Sequence, residues 1–307
     1  MNHQAEIALT EVILAALAVT AFVWVWVWIA RRRRAELPLV PYEGRRRVPW
    51  NGLDVLFVVL FFVLAIGVLG RIVVIVLGPE VVQPVPLDGG RGGADHPMLQ
   101  LVGQGGGWML LAAGLMAVVV APITEEFLFR VLLQGWLEAA QRRRRRQLPQ
   151  VPPLLPIGAG PIALTSLAFA YMHPFVRQQY PLDYVVVMLV GQAVVNVLTM
   201  AVGIAWLRVR AGATARDLGW APGHLASDVR LGLVAFAAVG VPIYAIQAGL
   251  TKLMPTGVAA DPVSLFFFAL VLGLLYYRTH RIVPSVVLHM SLNLTTFAMA
   301  WLAAAGN

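Results

Sequence analysis

Glu125 and Glu126 stand side by side, with Arg130 four residues further on, in a stretch that is otherwise apolar. Trp108 to Val120 precede the stretch Ala121-Pro-Ile-Thr-Glu-Glu-Phe-Leu-Phe-Arg130, and Val131-Leu132-Leu133 follow it, so one long membrane-spanning helix is expected. Ionisable groups at that depth are costly and usually face a partner or a water-filled cavity. A four-residue spacing puts Glu126 and Arg130 on one face within ion-pair reach. Glu125 lies roughly 100° further round the helix and is free to point elsewhere. Glu126–Arg130 is therefore expected to be a buried brace, and Glu125 the working carboxylate.

Three more polar residues stand in apolar surroundings: His173, His289 and Asn293. His289 and Asn293 are four apart and share a helix face, which Ser291 does not. A carboxylate with two neutral imidazoles can activate water, either by holding a metal or by direct general-base catalysis. An amide N–H and a second imidazole can stabilise an oxyanion. Together these suit amide hydrolysis. Taken singly, a histidine or asparagine in a membrane helix is more often a helix–helix hydrogen-bonding residue, the role expected of Gln192 and Asn196. What distinguishes Glu125, His173 and the His289–Asn293 pair is their distribution over three separate helices. Nucleophilic catalysis has little support, since there is no cysteine and no serine in a nucleophile-elbow setting.

The elements that position these residues follow from composition. Of 307 residues, 59% are hydrophobic and only 12% charged, so the fold class expected is an all-α, polytopic helical bundle in the lipid bilayer. The absence of cysteine excludes a disulfide framework and any cysteine-ligated metal. The net charge of +8 is mostly arginine clustered between apolar runs, which marks cytoplasmic loops and not a nucleic-acid surface.

About eight spans are expected. Ile7–Ala30 runs into Arg31–Arg34 and, lacking a basic leader, reads as a retained helix with its N-terminus outside. Arg45–Arg47 lie on the same inner side. Trp50–Leu77 is the second span, with Trp50 as an interface anchor and Arg71 snorkelling outward. Residues 78–107, rich in Pro and Gly, form an external loop whose Gly103-Gln-Gly-Gly-Gly107 lacks the Lys-Ser/Thr of a phosphate loop. The third span carries the carboxylates inward to Arg142–Arg146. Pro161–His173 is short enough, at roughly 20 Å of helical rise, to leave His173 within the bilayer's thickness. Tyr184–Leu207, Leu231–Leu253, Val263–Tyr277 and Pro284–Ala304 complete the bundle, with both termini outside.

The motifs Glu125-Glu126-x-x-x-Arg130, Phe169-Ala-Tyr-Met-His173 and His289-Met-Ser-Leu-Asn293 resemble the three motifs of the CPBP family, the intramembrane proteases related to type II CAAX prenyl endopeptidases and also called Abi proteins. The approach Gly273-Leu-Leu-Tyr-Tyr-Arg-Thr-His-Arg-Ile-Val-Pro284 is similar too. The resemblance covers roughly 108–175 and 263–297. It implies that Glu125 is the general base and activates water with His173, that His289 and Asn293 form the oxyanion site, and that Glu126 and Arg130 are structural. Two departures stand out: Val131, where the family commonly has glycine, and a longer stretch between the second and third motifs. Residues 1–107 are accordingly read as a two-helix membrane segment with an external loop, and 108–307 as the protease core with an inserted helical stretch at about 183–260.

The function expected is an intramembrane endopeptidase acting on a membrane-associated protein or peptide. A divalent metal such as zinc, held by Glu125, His173 and His289, is a possible cofactor; no nucleic acid is expected. The Arg/Ala/Val/Leu-rich composition points to a GC-rich bacterial source and its plasma membrane. The alternative function is a non-catalytic scaffold or immunity-type protein of the same fold. A transporter using Glu125 and the histidines as a proton relay is disfavoured because two-half symmetry is missing.

Overall fold

The computed structural model describes residues 3–44, 48–82, 107–147, 156–173, 182–253 and 261–305. The glycine-rich loop expected at 78–107 falls mainly outside the described residues, as do Arg45–Arg47 and most of the proline-rich run after Arg146. Among the described residues there are no strands; the chain is an all-α bundle. Its helices are α1 (His3–Arg34), α2 (Gly52–Leu77), α3 (Gly107–Gln147), α4 (Ala159–Tyr171), α5 (Leu182–Ala211), α6 (Leu225–Leu253), α7 (Asp261–Thr279) and α8 (Val283–Ala305). Seven are long and apolar enough to cross a membrane, and α4 is the short one. The 13 residues of α4 correspond to the part-way helix expected before His173.

The central element is α3, which touches α2, α4, α5, α7 and α8. Around it, α7 runs along α4, α8 along α6 and α2 along α5, while α1 packs on α6. The described part of the stretch 183–260, α5 and α6, thus lies beside the α3–α4–α8 group without separating His173 from His289. α3 is not a regular α-helix: Met116–Val120 and Phe127–Gln134 are π-helical. Such segments are rare and tend to occur at functional sites.

Two prolines inside helices shape the packing. Proline removes the N–H that would bond a carbonyl one turn earlier. In α6, Pro242 leaves the Ala238 carbonyl without its helical donor, and the Trp26 indole of α1 donates to it at 3.0 Å. In α3 the local register is i to i−5, as the Ala121 N–H donating to Met116 O shows. The next donor in that register would be Pro122, owed to Ala117 O. The Asn293 side-chain amide of α8 donates there instead, at 2.8 Å.

Two sequence expectations change in detail. Trp50 is fully buried in the core with Val55, Phe127 and Leu132, and its indole donates to Leu132 O at 3.2 Å. It is therefore not an interface anchor: its apolar body is worth more inside, and the one polar atom finds a partner there. Gln192 and Asn196 bond each other along α5 at 3.0 Å. The polar tie between α5 and a neighbour is made by Asp54 at the start of α2, which accepts from the Trp206 indole (3.1 Å) and pairs with Arg210 (3.4 Å).

Candidate active site

Adjacent residues of one helix diverge by about 100°, and here the divergence separates two environments. Glu126 is completely buried, whereas the Glu125 side chain keeps 25% of its exposure. On the buried side, Arg130 Nε donates to Glu126 Oε2 at 3.3 Å and Arg130 Nη1 to the Thr165 hydroxyl of α4 at 3.4 Å. The guanidinium also lies 5.6 Å from the Phe169 ring centroid. The expected Glu126–Arg130 brace is present.

Glu126 has a second contact that its spacing to Arg130 did not announce. Its other oxygen, Oε1, lies 3.1 Å from His289 Nδ1. An ionised carboxylate paired with arginine only accepts hydrogen bonds, so Nδ1 carries the hydrogen. The same reasoning fixes His173, which follows the end of α4. Its Nδ1 lies 2.6 Å from the Phe169 carbonyl, again an acceptor only. Phe169 is a hub: its carbonyl sets His173, its ring stacks against that imidazole at 4.5 Å, and its edge meets His289 at 5.6 Å. Phe268 of α7 closes the other side of His289 at 5.4 Å.

With both Nδ1 hydrogens committed, the Nε2 atoms of the two rings turn to one atom. His173 Nε2 is 3.5 Å and His289 Nε2 3.7 Å from Glu125 Oε2. A carboxylate oxygen facing two imidazole lone pairs is an arrangement of acceptors only. It needs a hydrogen-bearing group, an added proton or a cation among them. His289 is nearly buried, while the His173 side chain is 31% exposed, so the group opens on the Glu125–His173 side. Among the described residues no three His, Asp or Glu side chains are gathered closely enough to hold an ion as they stand. The donor types are those zinc accepts, but the present spacing is not that of a metal cage.

Asn293 is placed differently from the other three. It lies one turn beyond His289, roughly 6 Å along the axis, and one of its amide hydrogens is held by Ala117 O. That bond comes from the Pro122 effect, which helix-face reasoning on α8 alone could not find. Among the described residues the second amide hydrogen has no partner. Thus Glu125, His173 and His289 converge on one point, Glu126 and Arg130 lie behind them, and Asn293 ties α8 to α3 at the site's edge.

No curated protein and no solved structure shows detectable similarity to the chain. A family model, that of the type II CAAX prenyl endopeptidase Rce1-like proteins, matches residues 107–295. The match begins with α3, runs through 183–260 and ends just past Asn293, taking in all three motifs. On that match, over more than half of its length, the chain belongs to the Rce1-like type II CAAX prenyl endopeptidase family.

Proposed function

We propose that the protein is an intramembrane endopeptidase that hydrolyses a peptide bond of a membrane-associated protein or peptide with water activated by Glu125 and His173. The observation that carries this is the convergence of His173 Nε2 and His289 Nε2 on Glu125 Oε2 at 3.5 and 3.7 Å, each ring fixed from behind at Nδ1. A water seated among them donates one hydrogen to Glu125 and is oriented by His173. As its oxygen attacks the scissile carbonyl carbon, Glu125 takes the proton. When the tetrahedral intermediate collapses and the C–N bond breaks, the same carboxyl returns that proton to the leaving amine.

The developing oxyanion is met from the α8 side. The free amide hydrogen of Asn293 is one donor. His289 is the other once the proton that Glu125 has taken from the water is shared with its Nε2, 3.7 Å from Glu125 Oε2, with Glu126 at Nδ1 supplying the opposite charge. Glu126 is then more than a brace, because it fixes how His289 faces the reaction, as partners of this kind commonly do. Arg130 holds Glu126 in place in turn.

The test uses the purified full chain in lipid nanodiscs with two probes. One is a farnesylated, internally quenched CAAX-type peptide, the other an unprenylated membrane-associated peptide. Glu125→Gln is expected to abolish cleavage of whichever probe is cut while leaving thermal unfolding unchanged. Cleavage by Glu125→Gln at the wild-type rate would remove Glu125 from the chemistry, and no cleavage of either probe by the wild type would leave the scaffold reading in front. A chelator arm addresses zinc: activity lost to chelation and restored by added metal would make it a metalloprotease.

A further inference from the structure

Behind the site, one face of α3 carries Glu126, Arg130, Gln134, Glu138 and Arg142, each four residues from the next. In a regular α-helix such a stripe advances by about 40° at every step and would wind out of the core. Here the first half lies in the π-helical segment Phe127–Gln134. A π-turn holds more residues and rotates less per residue, so the stripe falls back by a similar amount. The two drifts offset, and Glu126, Arg130, Gln134 and Glu138 are all buried. Arg142, with 30% of its side chain exposed, reaches the inner end of the helix and pairs with Glu138 at 3.9 Å.

The ladder is bonded at both ends and open in the middle. Arg130 bonds Glu126 above, and Gln134 Nε2 donates below to Glu138 Oε1 and to Gly273 O, both at 2.9 Å. Between them, Arg130 Nη2 and Gln134 Oε1 are buried with no partner among the described residues, as is the hydroxyl of Ser166 on the buried face of α4. One donor and one acceptor, each buried and unmatched, are a costly pair to leave. Gly273 of α7 packs beside them, where a side-chain carbon would meet Ile162 Cγ2 at 3.0 Å. A side-chain carbon there would lie 3.1 Å from Gln134 Oε1 and 3.6 Å from Arg130 Nη1, so the amide oxygen and the guanidinium face one point.

We propose that a buried water molecule bridges Arg130 Nη2 and Gln134 Oε1 beside Gly273, accepting from the guanidinium and donating to the amide oxygen, and that Gln134 is thereby a positioning residue for His289. A buried water typically makes about three hydrogen bonds, and Ser166 lies one turn along α4 from Ile162, whose side chain faces Gly273. The bridge makes the ladder continuous: Arg142, Glu138, Gln134, water, Arg130, Glu126, His289. The orientation of the imidazole at the site is then tied to the inner end of α3, about four helical turns away. The consequence for catalysis rests on the function proposed above; the water site itself does not.

Two measurements on the full chain in nanodiscs test this. The first is a structure that shows ordered waters, expected to have one between Arg130, Gln134 and Gly273. Its loss is expected in Gln134→Met, which keeps the volume and removes the acceptor. The second is ¹⁵N NMR of histidine-labelled protein, in which His289 is expected as the Nδ1–H form in the wild type. In Gln134→Met it is expected to shift toward a mixture of tautomers, while the His173 signal stays. A purely structural role would leave the His289 signal in place. Should Gln134→Met not fold, Gly273→Ala keeps every polar atom and crowds a methyl against the Gln134 oxygen and the guanidinium, with the same two expectations. An empty gap in the wild type, or a His289 signal indifferent to these substitutions, overturns the proposal. Neither readout involves proteolysis, so its failure and that of the hydrolytic reading are separable.

Discussion

The two proline-freed carbonyls make a controlled comparison within one molecule. At Ala238 the Trp26 indole fills in for Pro242, and at Ala117 the Asn293 amide fills in for Pro122. Each bond joins two helices far apart in sequence through the same physical device. The surroundings differ. The Trp26 bond fastens α1, the span with the smallest buried share (6%), to the outside of α6. The Asn293 bond fastens α8, which carries His289, to α3, which carries both glutamates. Trp26 has a single N–H and spends it; Asn293 has two amide hydrogens and spends one. A staple and a functional donor can therefore share one residue only at the second place, and burial of a polar residue says nothing by itself about which role it has.

The largest effect that sharpens this contrast should come from the convergent group. His173→Gln, which keeps a polar side chain but removes the imidazole facing Glu125, is expected to lower cleavage by about 10²–10⁴-fold. Unfolding of the purified protein should move little, because the His173 side chain is part-exposed and its fixed neighbour is one backbone carbonyl. Unfolding that drops in step with activity would mean that His173 is structural.

Next in size is Arg130→Met. It leaves Glu126 buried without its countercharge, and breaking one partner of a buried pair costs about 3–5 kcal/mol. The double change Glu126→Gln with Arg130→Met removes both charges and is expected to recover most of that stability in denaturant titrations. Activity should not return, because His289 loses the charged acceptor that fixes its ring. Recovery of both would reduce Glu126 to a brace alone.

Asn293→Ala comes third in stability, at about 1–3 kcal/mol for orphaning a buried carbonyl. Pairing it with Pro122→Ala, which restores a backbone N–H beside Ala117 O, should return the stability. If Asn293 also donates to the oxyanion, cleavage stays down by about 10²–10³-fold in that pair. Full return of cleavage would make Asn293 the counterpart of Trp26 and nothing more. The smallest effect belongs to Trp26→Phe, about 1 kcal/mol or less for one interhelical hydrogen bond in a membrane protein, with cleavage unchanged. A large loss of cleavage there would show that α1 matters to the site and would undo the contrast.

The convergence was legible from residue type and spacing to an uneven degree. Ionisable groups in an apolar run mark themselves, so Glu125, His173 and His289 stood out, and the four-residue Glu126–Arg130 spacing named its own pair. The bundle was legible because 12% charge leaves few other folds open. What stayed hidden depends on backbone register. The π-helical turns of α3 reset which carbonyl Pro122 frees and keep Gln134 and Glu138 on the buried face, and nothing in a period-four pattern announces that reset. The Glu126–His289 bond spans 163 positions and needs the fold. Trp50 misled for a plain reason: a tryptophan before a span fits an interface equally well, and only its packing against Phe127 and Leu132 decides.

The central claim, that Glu125 and the imidazoles facing it activate water for peptide hydrolysis, is tested most directly by comparing peptide ends. Membranes from cells producing the wild-type protein, Glu125→Gln and His173→Gln at equal levels would be surveyed for new protein termini by mass spectrometry. The account predicts termini that are present with the wild type and missing from both variants. The same termini in all three, with each protein folded, would contradict it.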